Sequence, residues 1–223
     1  MPIEVDTKDC TALSDSELSE MADLCAAVGT GWDVGLLSKQ CEEWVLVTQV
    51  HEGGRLAGFS FCTLERIGGT PSVLVGLASV AREARPEAVL AALMGDQLRR
   101  AVLAFPDEDV LVGTRFADPA AFAAFAGLED IVPRPGHKAT GEERAWARRL
   151  AKRFGAEGRV DDRTSVLEGT GDPALVLDYA GGGSVNGVAP EAAQFFSPLD
   201  HARGDALVAF GWAMAETLAA LAE

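Results

Sequence analysis

The sequence predicts an α/β protein of the α+β type, with a mixed, mainly antiparallel sheet flanked by helices. Helical periodicity before residue 44 gives way to three consecutive strands joined by glycine-rich turns, the pattern of an antiparallel meander. After residue 85 helices alternate with short strands, so the fold has to be mixed. The 223 residues, 48% of them hydrophobic, are sufficient for a full core.

The chain begins with a short predicted strand, residues 2–6, and two helices. Ser14 and Glu17 have the spacing of a capping box, and apolar residues then recur at helical spacing until Gly29 ends the first helix. The second helix is predicted over Val34–Glu43.

Three strands and then a second helical region follow. A glycine pair lies in each turn between the strands, as expected for hairpins. Apolar residues recur at helical spacing again after Pro86. Proline is well suited to the first turn of a helix, which places the helix start there. The predicted elements are strands over Trp44–Val50, Leu56–Glu65 and Ser72–Val80, a helix from Arg85-Pro86 to near Phe105, a strand over Val110–Thr114, a helix from Asp118 to Gly127 and a strand over Leu128–Val132.

Residues 136–223 are predicted as a C-terminal extension packed on the domain formed by residues 1–135. The last helix has a strong apolar stripe, which fits a lid or a dimerisation arm and fits docking on its own domain equally well. The extension is expected to contain a basic helix over Gly141–Phe154, strands over Ser165–Leu167 and Ala174–Tyr179, a loop over Gly181–Gly187 and a final helix over Asp205–Leu221.

The charge and the cysteines exclude several classes of protein. There are 34 acidic and 19 basic residues, a net charge of −15, which argues against nucleic acid or an anionic membrane surface as partner and weakly favours a cationic one. No apolar run is long enough to span a membrane, and the N-terminus lacks the apolar region of a secretory signal. The four cysteines have no metal-ligand spacing, so we expect reduced thiols in a cytoplasmic protein without a metal.

The segment from Leu77 to Leu128 is the most informative. A strand runs directly into a helix N-terminus, where free N–H groups and the positive end of the helix dipole favour an anion. In its order of elements the chain resembles the GNAT superfamily of acyl-CoA-dependent N-acetyltransferases: two helices, a three-strand meander, a pyrophosphate-binding loop that opens a long helix, then strand, helix, strand. The resemblance spans about residues 3–135 of a divergent member.

The resemblance implies a co-substrate and a site. Acetyl-CoA or another acyl-CoA would donate its acyl group to an amine of a small molecule or of a protein. The net charge of −15 weakly favours a cationic acceptor. The thioester would lie where the Ser72–Val80 strand diverges from its parallel neighbour, Val110–Thr114. N–H groups near Ser79 and Val80 would hold its carbonyl. The pyrophosphate would be held by Arg85 and by the amides of Glu87, Ala88, Val89 and Leu90.

This chain departs from the family pattern at several of these positions. Pro86 removes an amide donor, and Glu87 places a negative charge where a pyrophosphate would bind. Ala88 and Leu90 occupy the two positions where the family has small residues. Phe125 stands where the family has a tyrosine that protonates the leaving thiolate, and phenylalanine has no proton to give.

A general base is harder to identify. Glu65, at the end of the second meander strand, is the nearest candidate, with Glu43 and His51 behind it; the competing interpretation of Glu65 is a solvated carboxylate beside a turn. Two functions therefore stay open. One is an N-acyltransferase, since proximity supplies much of the rate enhancement even with a poor base. The alternative is a catalytically inactive GNAT-fold binding or regulatory protein.

Overall fold

The computed structural model describes residues 2–83, 85–180 and 190–220, and within these ranges the strands form one sheet. The strands are β1 (Ile3–Asp9), β2 (Leu46–Glu52), β3 (Arg55–Ile67), β4 (Thr70–Val80), β5 (Val110–Phe116), β6 (Glu129–Val132), β7 (Val160–Asp161), β8 (Val166–Leu167), β9 (Leu177–Asp178) and β10 (Ala206–Ala213). The helices are α1 (Asp15–Val28), α2 (Val34–Glu43), α3 (Pro86–Ala104), α4 (Gly141–Arg153) and α5 (Ala215–Ala219), with 3-10 helices at Cys10–Ala12, Pro119–Phe125 and Pro190–Phe195.

The sheet has the order β1-β2-β3-β4-β5-β10-β8-β7, with β6 paired to β10 and β9 paired to β4. Its pairs are antiparallel except β4–β5 and β4–β9. The predicted fold class, a mixed and mainly antiparallel sheet flanked by helices, is therefore confirmed. From β1 to β6 the elements follow the order that the GNAT resemblance implies.

Local sequence signals account for the first half of the fold. The Ser14 hydroxyl accepts a hydrogen bond from the Glu17 N–H, and the Glu17 carboxylate accepts one from the Ser14 N–H, so the predicted capping box starts α1. Gly29 ends α1 in the left-handed conformation, with φ of 83°. These contacts span three or four residues, which is why the sequence pattern is sufficient to predict them.

The predicted final helix over Asp205–Leu221 is wrong for most of its length, because Ala206–Ala213 forms the strand β10. This strand pairs with β5 on one edge and with β6 and β8 on the other. Its side chains enter the cores on both faces of the sheet, so nearly all of them are buried. A strand buried on both faces is a continuous apolar run without the alternation that marks a strand. The sheet therefore draws on residues from both sides of the predicted boundary at residue 135.

Two other predicted elements differ from the structure or lie outside it. The helix predicted from Asp118 is the 3-10 helix Pro119–Phe125, whose ends are closed by bonds such as that from the Ala121 N–H to the Asp118 carbonyl, at 3.1 Å. The predicted loop over Gly181–Gly187 falls outside the described residues.

The sheet separates two hydrophobic cores. On one face, β4 residues such as Val73 and Val75 share a core with α3 and with the 3-10 helix Pro119–Phe125. On the other face, residues such as Leu74 and Leu77 share a core with α1, α2 and α4. The alternation of side chains along β4 assigns them to the two faces in turn. The candidate site lies where β4 and β5 separate, between these two cores.

Candidate functional site

The site that the resemblance implies is a fork between two parallel strands. β4 pairs with β5 only from Ser72–Leu74 to Leu111–Gly113, and the strands then diverge. Just beyond, β4 has a bulge against β3: Leu77 pairs with Phe61 and Val75 with Cys62, so Gly76 has no partner in the ladder.

Side chains of β5 occupy the inner end of the fork. The Thr114 hydroxyl donates a hydrogen bond to the Val75 carbonyl at 2.8 Å. The Arg115 Nη2 donates one to the Gly76 carbonyl at 2.6 Å. Both β4 carbonyls that the divergence would leave open are therefore bonded to groups of this chain.

The outer end of the fork is occupied by β9. The Ala78 N–H donates to the Val176 carbonyl at 3.1 Å, and Ala78 and Ser79 pair in parallel with β9. Asp178 of β9 accepts hydrogen bonds from the Ser79 hydroxyl at 3.1 Å and from the Arg82 Nη2 at 2.6 Å. The edge of β4 that would bind a thioester and its pantetheine arm is thus already paired.

The side chains around β9 are part of the core that contains α3. Leu177 is 1% exposed and Tyr179 3%. The same core contains Phe196 and Leu199. Polar groups of β5 and β9 and the buried side chain of Leu177 thus occupy the space between the diverging strands, and these residues do not fit an acyl-CoA as they stand.

The helix start at α3 offers few donors for a pyrophosphate. Pro86 has no N–H, and the N–H groups of Ala88 and Val89 both donate to the Arg85 carbonyl, at 3.0 and 3.1 Å. The Arg85 Nε donates to the Glu52 carboxylate at 2.8 Å, so the predicted pyrophosphate ligand is in an ion pair.

The other predicted binding residues take ordinary structural positions. Glu87 is exposed, and its charge, after burial, helps to raise the pKa of the Tyr179 hydroxyl. The side chains of Val80 and Leu90 are buried in the core that contains α3, and the Val80 carbonyl accepts a hydrogen bond from Arg82 at 3.1 Å.

The structure separates Glu65 from the other predicted site residues. Glu65 pairs with Ser72, seven residues before Ser79 on β4, which places it ~23 Å away from Ser79 along the strand. Its carboxylate accepts a hydrogen bond from the Arg153 Nε at 2.6 Å. Glu65 is therefore too distant to act as the base of a site at Ser79. The order of the elements suggested that Glu65 lies close to this site, but it lies near the C-terminal end of β3, away from Ser79.

The remaining candidate groups do not form a catalytic set either. Glu43 is the last residue of α2 and is exposed, and His51 lies on β2, opposite Glu4 and Leu56. Phe125 is 1% exposed and packs against Phe116, with ring centroids 5.0 Å apart. The position of the family's tyrosine thus belongs to an aromatic cluster.

Cys62 on β3 is not a reactive nucleophile, since burial raises the pKa of its thiol to about 12. No group of three or more His, Cys, Asp or Glu side chains in the described ranges is arranged to hold a metal ion. In the same part of the chain, no helix combines the length and the apolar character needed to cross a membrane.

Sequence reasoning missed three residues at the fork: Gly76, Arg115 and Asp178. Gly76 is required because a Cβ at this position would lie 1.9 Å from Cε2 of the Trp44 ring. Arg115 did leave a signal, since it is a charged residue within the otherwise uncharged strand β5, where every side chain is buried. Asp178 left none, because its partners Ser79 and Arg82 are about a hundred residues away in the chain.

Comparison with known proteins gives likeness at the level of solved structures. No protein-family model matches the chain, and no curated protein matches it significantly. The ribosomal-protein-S18-alanine N-acetyltransferase from Escherichia coli is 12% identical, with 95% of each chain covered and a TM-score of 0.46. Escherichia coli ElaA is 19% identical, with 60% of this chain and 95% of that one covered and a TM-score of 0.40.

An acetyltransferase of the GNAT family from Streptococcus pneumoniae is 11% identical, with 60% of this chain and 91% of that one covered and a TM-score of 0.38. Identities below 20% and TM-scores below 0.5 carry no information about activity or substrate. The function therefore has to be inferred from the fork itself.

Proposed function

We propose that this chain is a GNAT-fold binding protein that does not transfer acyl groups. One observation carries the proposal: β9 of the chain itself is paired with Ala78 and Ser79, on the strand edge that an acyl-CoA would need. Backbone N–H and C=O groups form one set of bonds at a time, so β9 and a pantetheine arm exclude each other.

Two features of the surroundings support this proposal. Arg82 and Arg85 are each bonded to a carboxylate, which lowers their attraction for a pyrophosphate. The position that corresponds to the family's proton-donating tyrosine is the buried Phe125, which has no proton to give. Neither feature alone would abolish an enzyme, but together with the occupied fork they favour a protein without acyl transfer.

A second candidate is an N-acyltransferase whose fork is closed by its own strand in this state. It is favoured by the divergence of β4 from β5 and the bulge at Gly76, which keep the geometry a thioester would use. Acyl-CoA would then be the co-substrate, and an amine of a small molecule or of a protein the acceptor.

Calorimetric titration with acetyl-CoA, CoA and a longer acyl-CoA separates the two functions. We expect no heat of binding with any of the three for the wild-type protein. Micromolar binding of acetyl-CoA together with loss of CoA thioester in the presence of amines would overturn the proposal.

The variant Leu177→Ala makes this titration more decisive. If β9 only gates the fork, its weaker docking raises the fraction of open molecules, and the apparent affinity for acetyl-CoA rises with that fraction. A loss of about 3 kcal/mol of docking energy corresponds to roughly 100-fold tighter binding. A binding-protein function instead predicts that the variant binds acetyl-CoA no better than the wild type.

A further inference from the structure

A pocket of about 240 Å³ lies beside the fork, on the sheet face that carries α1, α2 and α4. Its wall is formed by the end of α4, by β8 and by residues 168–175. Apolar groups make up much of the lining, among them Phe154, Leu167, Pro173 and Leu175. None of the GNAT-type site residues predicted from the sequence lines this pocket.

Arg115 lies at the base of this pocket and is 5% exposed. Its Cζ lies 4.5 Å from the centroid of the Phe154 ring, and its Nη2 donates to the Gly76 carbonyl. Its Nε is buried and has no hydrogen-bond partner within the described part of the chain. Burial, and then the charge of Arg159, lower the pKa of Arg115 to about 9, so the side chain is still a cation at neutral pH.

Arg159 brings a second guanidinium to the same pocket. Among the described residues, its guanidinium donates only to backbone carbonyls, those of Glu168 at 2.9 Å and Gly155 at 3.4 Å. Neither Arg115 nor Arg159 has a carboxylate within 4.0 Å among the residues that the structure describes. Two cations thus converge on one cavity in a protein whose net charge is −15.

A buried cation without a counter-ion is strongly unfavourable, whereas the same cation paired with a carboxylate is not. The acidic side chains of the pocket, Glu168 and Asp172, are both exposed at its rim. Asp172 accepts a hydrogen bond from the Thr170 hydroxyl, at 2.9 Å. Within the described ranges, no carboxylate therefore serves as counter-ion at the base of the pocket, where Arg115 lies.

We infer that this pocket binds a small organic carboxylate, with its head group on Arg115 and Arg159 and its body against the apolar wall. The apolar lining suits a ligand with a hydrocarbon part, and the two rim carboxylates repel a dianion such as phosphate more than a monoanion. The inference rests on the proposed function in that it names the ligand class of a binding protein. Its test needs no acyl-CoA, so either can fail without the other.

Calorimetric titration with acetate, butyrate and benzoate, each beside its uncharged amide, tests the inference. We expect at least one carboxylate to bind, its amide not to bind, and inorganic phosphate not to compete. The variants Arg115→Met and Arg159→Gln should each weaken the carboxylate at least tenfold. Arg149→Gln, at an exposed arginine stacked on Trp146 away from the pocket, should leave the affinity unchanged.

Arg115→Met also removes the hydrogen bond to Gly76, so its thermal unfolding has to be compared with that of the wild type. Arg159→Gln keeps the inference falsifiable if Arg115→Met does not fold. The inference is overturned if none of the three carboxylates binds, if the amides bind as well as the acids, or if phosphate displaces them.

Discussion

Truncation of Leu177 to alanine tests whether β9 is packed in the fork. Leu177 is 1% exposed, and its neighbour across the pairing is Ala78. Leu→Ala at a fully buried site costs 2–5 kcal/mol, the sum of lost transfer energy and the cavity left behind. Because β9 pairs, within the described residues, with β4 alone, the site can partly collapse, and we expect about 3 kcal/mol.

For a protein of this size, a loss of 3 kcal/mol lowers the midpoint of thermal unfolding by about 6–12 °C. Circular dichroism during heating and urea titration measure the loss independently. The matched control is Leu103→Ala on α3, the same truncation at a side chain that is 82% exposed, which should change stability by less than about 0.5 kcal/mol. If Leu177→Ala behaves like this control, β9 is not docked in the fork, and the proposal that β9 excludes an acyl-CoA is refuted.

Two further predictions concern Gly76 in the bulge of β4 and Glu17 at the start of α1. Gly76→Ala should destabilise the protein by about 3 kcal/mol in urea titration, since the added methyl group would overlap the Trp44 ring. The control Gly95→Ala lies inside α3, where the new Cβ meets only the end of a flexible arginine at 3.4 Å, and it should stabilise the protein by about 1 kcal/mol. Equal effects of the two substitutions would contradict the bulge geometry at Gly76. Glu17→Gln should cost about 1 kcal/mol at pH 7. The hydrogen bond from Lys8 lowers the pKa of Glu17 from 4.5 to about 2, so the contribution of its charge is complete above pH 4.5 and is lost as the pH falls toward 2. The stabilities of variant and wild type should converge over that range, and a constant difference would refute the assignment.

The elements that the sequence predicted correctly are those whose information is local. The capping box of α1 and the glycine at its end act over a few residues, and the bounds of α2 agree with the prediction, Val34–Glu43. The three-strand meander was predicted from the strand-like apolar pattern of its segments and from the glycine pairs in the turns between them. Local information was not sufficient for β10, whose run of apolar residues has the same appearance in a helix and in a strand buried on both faces.

The position of the fork was predicted from the sequence, but the groups that occupy the fork were not. The element order located the fork between β4 and β5 and the start of α3, and Arg85 does lie at that helix start. It also suggested Glu65 as a base, although the register of β3 against β4 places Glu65 at the opposite end of the strand. Strand register depends on which residues pair across the sheet, which periodicity alone does not reveal.

The sequence by itself determined the class of fold, the order of its first elements and the residues at the start of α3 that depart from the GNAT pattern. The tertiary structure alone decided that the fork is filled. Ala78 and Ser79 meet β9 across about a hundred residues of chain, and Arg115 meets Gly76 across 39. Such contacts depend on how separate elements are brought together in space, and nothing in the spacing of residues along one element encodes them.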